Sequence, residues 1–123
     1  MATLAAAIPL YAGGRPQRDA RFAVLSDLHF YDPRLGTSGQ AFEDYLNQDP
    51  KLLKESEAIL DAAITNIVQQ HVQFVLVAGD LTKDGELLDH VRVAQQLRRL
   101  EQRGIQVFVI PGNHDINNPD AFA

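Results

Sequence analysis

Cysteine is absent from this sequence of 123 residues. Without thiols the chain forms no disulfide bond and no zinc–thiolate site, and it offers no thiol nucleophile for catalysis. The absence leaves the cellular location open, because a chain without cysteine is compatible with both reducing and oxidising compartments.

Long apolar runs are also missing. No stretch approaches the roughly 20 apolar residues that a membrane-spanning helix requires, so we expect no membrane span. The opening residues, MATLAAAIPLYAGG, are small and apolar, but they lack the basic region of a signal peptide and are interrupted by Pro9. A signal remnant, a cloning artefact and an extended arm all fit them. We expect residues 1–20 to form a flexible or loosely docked amino-terminal arm.

Positive charge is scarce as well. The sequence has 11 Lys and Arg residues against 16 Asp and Glu residues, which gives a formal net charge of -5. A nucleic-acid-binding surface needs an excess of cations to neutralise phosphates, so we expect none here. The acidity fits an ordinary solvated surface, and it also fits carboxylates that hold cations. The length and the globular composition fit one domain.

Short apolar runs alternate with segments of helical periodicity. The runs are RFAVLS (21–26), QFVLVAGD (73–80) and IQVFVIPG (105–112). The second and third runs are nearly continuous in apolar character, which is typical of strands buried in a parallel sheet. The order strand-helix-strand-helix-strand therefore predicts an α/β fold, a parallel βαβαβ unit with helices packed on the sheet.

The two predicted helices have recognisable ends. Asp49 and Pro50 predict the start of the first helix, as an N-cap followed by proline, and its apolar periodicity ends near Gln70. The second helix carries an apolar stripe and ends near Gly104, a residue typical of a carboxyl-terminal cap. The segment from Leu28 to Gln48 is rich in glycine and polar residues and is predicted to be a long loop.

Polar side chains follow each predicted strand, where the carboxyl ends of parallel strands share one edge of the sheet. These residues are Asp27, His29, Asp80, Asn113, His114 and Asp115. Each motif alone is common in ordinary turns, but their joint occurrence after successive strands predicts a metal site. Asp27 and His29 are two residues apart, so their side chains point the same way if the chain is still extended there.

The motifs resemble the signature of the calcineurin-like metallophosphoesterase family, in which Asp-x-His, Gly-Asp and Gly-Asn-His-Asp (or Glu) each follow a strand. Here they read Asp27-Leu28-His29, Gly79-Asp80 and Gly112-Asn113-His114-Asp115. The resemblance spans residues 21–122 and is strongest to bacterial members, so a bacterial protein, cytoplasmic or exported, is implied. It also implies a two-sheet αββα sandwich, of which this chain corresponds to the amino-terminal half.

The resemblance implies that four of these residues bind metal. Asp27 and His29 would bind a first divalent ion. Asp80 would bridge this ion to a second one, which Asn113 would bind through its amide oxygen. Oxygen and imidazole ligands suit Mn, Fe, Zn or Ni better than Ca. The complete site would hold two such ions, and this chain alone would hold fewer, one or none.

The resemblance assigns the other two residues to catalysis. His114 would face the substrate, where it would donate to a phosphate oxygen or protonate the leaving group, and Asp115 would hold the His114 imidazole in position. The implied reaction is hydrolysis of a phosphomonoester or phosphodiester by a metal-activated water. No serine or cysteine nucleophile is required.

The family signature continues to a later His and a Gly-His-x-His loop, neither of which this sequence contains. His71 does not replace them, because it is predicted at the opposite end of the strands, and His90 is predicted to face solvent or to cap locally. We therefore expect residues 21–123 to be a partial, truncated domain that is weakly active or inactive.

One apolar sheet face would stay uncovered, so we expect self-association or a missing carboxy-terminal half to cover it. The alternative hypothesis is a non-catalytic metal-binding or self-associating α/β module. A flavodoxin-like or receiver-like domain fits the alternation of elements, but it explains neither Asp-x-His nor Asn-His-Asp.

Overall fold

The three apolar runs form a parallel sheet in a computed structural model that describes residues 19–116. The strands are β1 (Phe22–Ser26), β2 (Phe74–Ala78) and β3 (Gln106–Ile110), and β2 lies in the middle. Their register pairs Ser26 with Ala78 and Ala78 with Ile110, so all three strands end at one edge. The predicted α/β fold with a parallel βαβαβ unit is confirmed. The arm predicted at residues 1–20 lies almost wholly outside the described residues.

The helices are α1 (Gln40–Gln48), α2 (Ser56–Gln69), α3 (Leu87–Glu101) and α4 (Asn113–Ile116), with 3-10 turns at Pro33–Leu35 and Leu53–Glu55. The prediction of one long loop over Leu28–Gln48 is wrong, because α1 lies within it. This helix presents only a few half-buried apolar side chains, among them Phe42 and Tyr45, and it begins after Gly39 without a side-chain cap. It therefore carries neither a long apolar stripe nor a capping signal.

The predicted start of the first long helix is also wrong. Asp49 ends α1 instead of starting α2, because its N–H donates to the carbonyl oxygen of Tyr45. Its side chain accepts a hydrogen bond from the N–H of Lys51 at 3.0 Å, which makes a turn after α1. The helix α2 begins seven residues later, at Ser56, and ends at Gln69, close to the predicted end.

The core lies between one face of the sheet and the helices α2 and α3. Apolar side chains at helical spacing on both helices cover the alternate residues of the strands. The buried members are Ala23, Leu25, Val75 and Val77 from the sheet, Leu60, Ile64 and Ile67 from α2, and Val93, Leu97 and Leu100 from α3. Burial of this apolar surface fixes the sheet and therefore the edge at which the strands end.

The opposite face of the sheet stays open within residues 19–116, as predicted. Its apolar side chains include Leu76, Phe108 and Ile110, which are 37%, 52% and 63% exposed. Phe74 stacks on Phe22 with ring centroids 5.1 Å apart and meets the edge of Phe108 at 6.2 Å. This row of aromatic rings forms an apolar surface that a second protein surface could bury by packing against it.

Two carboxyl groups lie in the interior where the segment after β1 meets the first turn of α3. Asp32 and Asp89 are both buried, and the N–H of Asp32 donates to Oδ1 of Asp89 at 2.7 Å. Burial raises the pKa of Asp89 to about 7, and this outweighs the opposing hydrogen bond from Asp32. The folded chain therefore holds a proton on Asp89 that the unfolded chain releases near pH ~4.

We expect Asp89→Asn to flatten the pH dependence of stability. As the pH rises from about 4 to about 7, the unfolded chain has lost this proton and the folded chain keeps it, so the free energy of unfolding falls by up to about 1.4 kcal/mol per pH unit. Asparagine keeps the acceptor oxygen and removes the titration. Denaturant unfolding at several pH values measures the slope. Asp61→Asn, an exposed carboxyl on α2, is the control, and identical slopes in both variants would contradict the prediction.

Candidate metal centre

The backbone turns sharply where β1 and β2 end. Asp27, His29 and Asp80 have positive φ angles of 54°, 41° and 45°, a left-handed conformation that costs a non-glycine residue roughly 1–2 kcal/mol. The N–H of His29 donates to the carbonyl oxygen of Asp80 at 2.9 Å, and that of Asp27 to Gly79 at 3.3 Å. The chain is therefore not extended after Ser26, and the premise that Asp27 and His29 project from an extended chain is wrong.

One residue from each strand end contributes to a compact group of ligand atoms. His29, Asp80 and His114 each offer one atom, and these atoms lie within 4.8 Å of one another. Nε2 of His29 is 3.8 Å from Oδ2 of Asp80, and the two imidazole rings meet edge to face. All three residues are partly buried. The three motifs were predicted to meet at one edge of the sheet, and in the structure His29, Asp80 and His114 do meet there.

The carboxylate of Asp80 is oriented by the loop after β3. Its Oδ1 accepts a hydrogen bond from the backbone N–H of His114 at 3.1 Å, and its Oδ2 faces His29. A Cβ atom at Gly112 would lie less than 3.0 Å from side-chain and backbone atoms of Asp80. Glycine is therefore required at position 112 because the backbone passes directly against this carboxylate.

His29 has the properties of a metal ligand. Its Nδ1 is buried and has no hydrogen-bond partner within residues 19–116, which is rare for a polar atom. Burial lowers the pKa of His29, as do the charges of Lys51 and His114, and the carboxylates of Asp80 and Asp27 oppose this. The neutral imidazole is the form that binds metal. The donor set of His29 and Asp80 therefore fits a divalent ion.

The ring of His114 is held by the loop between β2 and α3. Its Nδ1 lies 2.6 Å from the carbonyl oxygen of Lys83 and 3.3 Å from Oδ1 of Asp84. A carbonyl oxygen only accepts, so Nδ1 carries a proton and Nε2 is the nitrogen left to act in the site. Sequence reasoning missed Lys83 and Asp84, although their place in the short LTKDG segment after Asp80 was an available signal.

Asp115 contacts backbone rather than the His114 ring. Its buried carboxylate accepts hydrogen bonds from the N–H groups of Leu81, Thr82 and Gly112 and from the Thr82 hydroxyl, all between 2.7 and 3.1 Å. Burial alone would raise the pKa of Asp115, but these hydrogen bonds hold the pKa below its usual value. The prediction that Asp115 positions the imidazole is corrected: it ties the loops after β2 and β3 together.

The remaining candidate residues lie around this group. Asp27 is exposed and outside the group of ligand atoms, although its charge acts on His29. Asn113 is exposed at the start of α4. His71 is exposed after α2, at the opposite end of the strands as predicted, and Nε2 of His90 lies 3.4 Å from the carbonyl oxygen of Asp115. The metal-binding roles of Asp27 and Asn113 remain predictions.

The family profile described as calcineurin-like phosphoesterase matches residues 20–123. The chain belongs to the calcineurin-like phosphoesterase family. It is similar to the uncharacterized metallophosphoesterase YhaO of Bacillus subtilis (strain 168), with 33% identity over 99 residues, and the match covers 79% of this chain. The chain spans only 23% of the length of that relative.

Calcineurin-like phosphoesterases generally use divalent metal ions, and His29, Asp80 and His114 form a possible site for one. Among residues 19–116, no helix is long and apolar enough to cross a membrane. The convergence of the strand ends makes this edge of the sheet the candidate site.

Proposed function

We propose that this chain carries part of a two-metal phosphoesterase site, which hydrolyses phosphomonoesters or phosphodiesters. The observation that carries the proposal is the meeting of His29, Asp80 and His114 within 4.8 Å at the ends of three parallel strands. The match to the calcineurin-like phosphoesterase family over residues 20–123 supports it. The substrate in this proposal is a phosphate ester.

In this proposal Asp27, His29, Asp80 and Asn113 would hold the divalent ions, and His114 would act on the substrate instead of binding metal. Mn, Fe, Zn and Ni suit these oxygen and nitrogen donors. When bound, such ions supply charge that stabilises the phosphoryl group and lowers the pKa of a water molecule. The hydrogen bond from the N–H of His114 fixes the orientation of the Asp80 carboxylate.

His114 acts on the substrate through Nε2, because Nδ1 is occupied by the carbonyl oxygen of Lys83. A ring that carries both protons donates one to the leaving oxygen of the ester. The carboxylate of Asp84, 3.3 Å from Nδ1, balances the charge of that ring. Asp115 has no contact with the reaction in this scheme and fixes the loops that carry Asp80 and His114.

A second candidate function is a non-catalytic module that binds metal or self-associates. The open apolar sheet face around Phe108 and Ile110 favours it. The small number of candidate ligands among residues 19–116 favours it as well, since each such ion binds about four to six ligands. We propose that the chain alone is weakly active or inactive, with the full site in a longer protein or an assembly.

We expect excess Mn²⁺ or Zn²⁺ to raise the melting temperature of the chain. A ligand that binds only the folded form stabilises it by about 2.7 kcal/mol at a concentration of 100 times its Kd. Asp80→Asn should remove this stabilisation, and Asp61→Asn on α2 should keep it. Melting curves with and without metal, together with metal analysis, measure the effect.

Hydrolysis of an aryl phosphate by the same samples separates the two functions. Any metal-dependent hydrolysis should fall about 10²-fold in His114→Asn. Equal activity of the variant would show that the role of His114 is wrong. Metal-dependent hydrolysis would exclude the non-catalytic module, and the absence of metal binding would overturn the phosphoesterase site and leave only a self-associating module.

A further inference from the structure

We infer that Tyr45, on α1, is a positioning residue for His114, and that it acts through Lys83 to hold the imidazole ring with Nε2 facing the site. The consequence for catalysis rests on the proposed phosphoesterase function, whereas the positioning itself is a property of this chain. Tyr45 lies outside the three motifs at the strand ends and belongs to the helix that the sequence did not reveal. Its connection to His114 exists only in the folded chain.

The ring of His114 is held by one peptide unit, the one that joins Lys83 to Asp84. The carbonyl oxygen of this unit lies 2.6 Å from Nδ1 of His114, and its N–H donates to Oε2 of Glu86 at 2.9 Å. The N–H of Lys83 itself donates to the carbonyl oxygen of Phe30 at 2.9 Å. The hydrogen bond at one ring nitrogen sets where the proton of a neutral imidazole sits, so the orientation of this peptide unit leaves Nε2 for the site.

The side chains of Lys83 and Asp84 close a ring of atoms around the same peptide unit. Nζ of Lys83 pairs with Oδ2 of Asp84, whose Oδ1 lies 3.3 Å from Nδ1 of His114. Rotation of the peptide unit would break this pair, because the two side chains leave the backbone on either side of it. The position of the Lys83 ammonium group therefore helps to fix the carbonyl oxygen that accepts from His114.

Tyr45 fixes that ammonium group. Nζ of Lys83 lies 4.3 Å from the centre of the Tyr45 ring, a distance at which an ammonium group is attracted to an aromatic ring. The Lys83 side chain is only 15% exposed, and such contacts are stronger where water is excluded. The Tyr45 hydroxyl donates to Oδ2 of Asp49 at 2.9 Å, and the N–H of Asp49 donates to the carbonyl oxygen of Tyr45. The ring is therefore anchored at its hydroxyl end and through the helix backbone.

A second aromatic ring on α1 provides a comparison. Phe42 also lies near a lysine, with Nζ of Lys54 5.3 Å from the centre of its ring, and it stacks on Tyr31 at 5.6 Å. The Lys54 side chain is 42% exposed, so this contact lies in solvent, and it does not involve the loop that holds His114. The helix α1 contains no buried side chain, so Tyr45 is not a core residue. It differs from Phe42 in the loop to which its lysine belongs.

The ratio of the two neutral forms of the His114 ring tests the positioning role without any substrate. The chain is labelled with ¹⁵N-histidine and studied at about pH 9, above the usual histidine pKa of about 6.5. The ¹⁵N shifts then report which ring nitrogen carries the proton. The chain has four histidines, and the signals that disappear in His114→Asn are those of His114. We expect the Nδ1–H form to predominate in the parent chain. Tyr45→Leu should lower the ratio of the Nδ1–H form to the Nε2–H form about fivefold, because one cation–π contact is lost.

Three further variants separate this role from a general effect on α1. Tyr45→Phe keeps the ring and loses only the hydroxyl, so it should keep the ratio within about twofold of the parent value. Phe42→Leu is the matched control, because it removes the other ring near a lysine, and it should leave the ratio unchanged. Lys83→Met keeps the backbone carbonyl and removes the ammonium group. It should lower the ratio at least as much as Tyr45→Leu, and adding Tyr45→Leu to it should have no further effect. Denaturation curves establish that each variant is folded.

Equal ratios in Tyr45→Leu and Phe42→Leu would overturn the positioning role, as would a parent chain in which the Nε2–H form predominates. A further fall on adding Tyr45→Leu to Lys83→Met would overturn the route through Lys83. In Mn²⁺-dependent hydrolysis of an aryl phosphate, Tyr45→Leu should lower kcat about fivefold and leave KM nearly unchanged. If no sample hydrolyses the ester and the ratio still falls in Tyr45→Leu, the proposed phosphoesterase function fails and the positioning role stands.

Discussion

Gly112→Ala is expected to destabilise the chain by about 3 kcal/mol and to remove the proposed binding of divalent metal. The new methyl group would lie less than 3.0 Å from both the side chain and the backbone nitrogen of Asp80. The loop after β3 or the end of β2 must then move. The expected loss of about 3 kcal/mol in the free energy of unfolding is at the upper end of the usual cost of overpacking. Either movement displaces the carboxylate of Asp80 from His29 and from the N–H of His114.

Gly104→Ala separates this collision from the general effect of replacing a glycine. Gly104 has a φ angle of +77°, and within residues 19–116 no neighbouring atom lies within 4 Å of the place that an alanine methyl group would take. Alanine there costs only the roughly 1 kcal/mol of a left-handed residue. It should keep metal binding. Chemical denaturation and Mn²⁺ titration of both variants measure the difference. Equal stability losses with intact Mn²⁺ binding in both would contradict the collision argument.

Asp115→Asn is expected to cost about 3 kcal/mol or more at neutral pH. The carboxylate is buried and accepts four hydrogen bonds, three of them from backbone N–H groups. Asparagine turns one acceptor oxygen into an amide donor that faces other donors, and unsatisfied buried groups are costly. The loops after β2 and β3 would separate, so metal affinity should fall with stability.

The same substitution changes the response to acid. The hydrogen bonds hold the pKa of Asp115 below its usual value in the folded chain. Its contribution is therefore complete above the unfolded pKa of about 4 and is lost as the pH falls through the lower folded value. Denaturation curves at several pH values should show a difference in the free energy of unfolding between the parent chain and Asp115→Asn, and this difference should become smaller in acid. Asp44→Asn, an exposed carboxyl on α1, should show no such difference, and a difference independent of pH would contradict this account.

The location of the candidate site could be predicted from sequence because it follows from topology. Parallel strands end at one edge, so the motifs that hold His29, Asp80 and His114 had to meet there once the strands were recognised. The role of Asp115 could not be predicted in this way. Its partners, Leu81 and Thr82, are 34 and 33 residues away in the sequence, and their N–H groups face it only because of the loop conformation.

The missed helix α1 has a different cause. Its nine residues form less than three turns, and Gly39 caps it without a side-chain hydrogen bond. Asp49 and Pro50 carry the composition of a helix start, yet the Asp49 side chain makes a turn with Lys51 instead. An Asp-Pro pair of this kind fits the start of a helix and also the turn after a helix end. Tertiary packing decides which of the two forms.

The left-handed turns at Asp27, His29 and Asp80 limit how this protein can be stabilised by substitution. Glycine would relieve the backbone at each position, and a search for stabilising substitutions would select it there. Each such gain would delete a side chain that the proposed site uses. Stability and function are therefore opposed at these three positions, so a thermostable variant should be sought elsewhere in the chain, with these turns left unchanged.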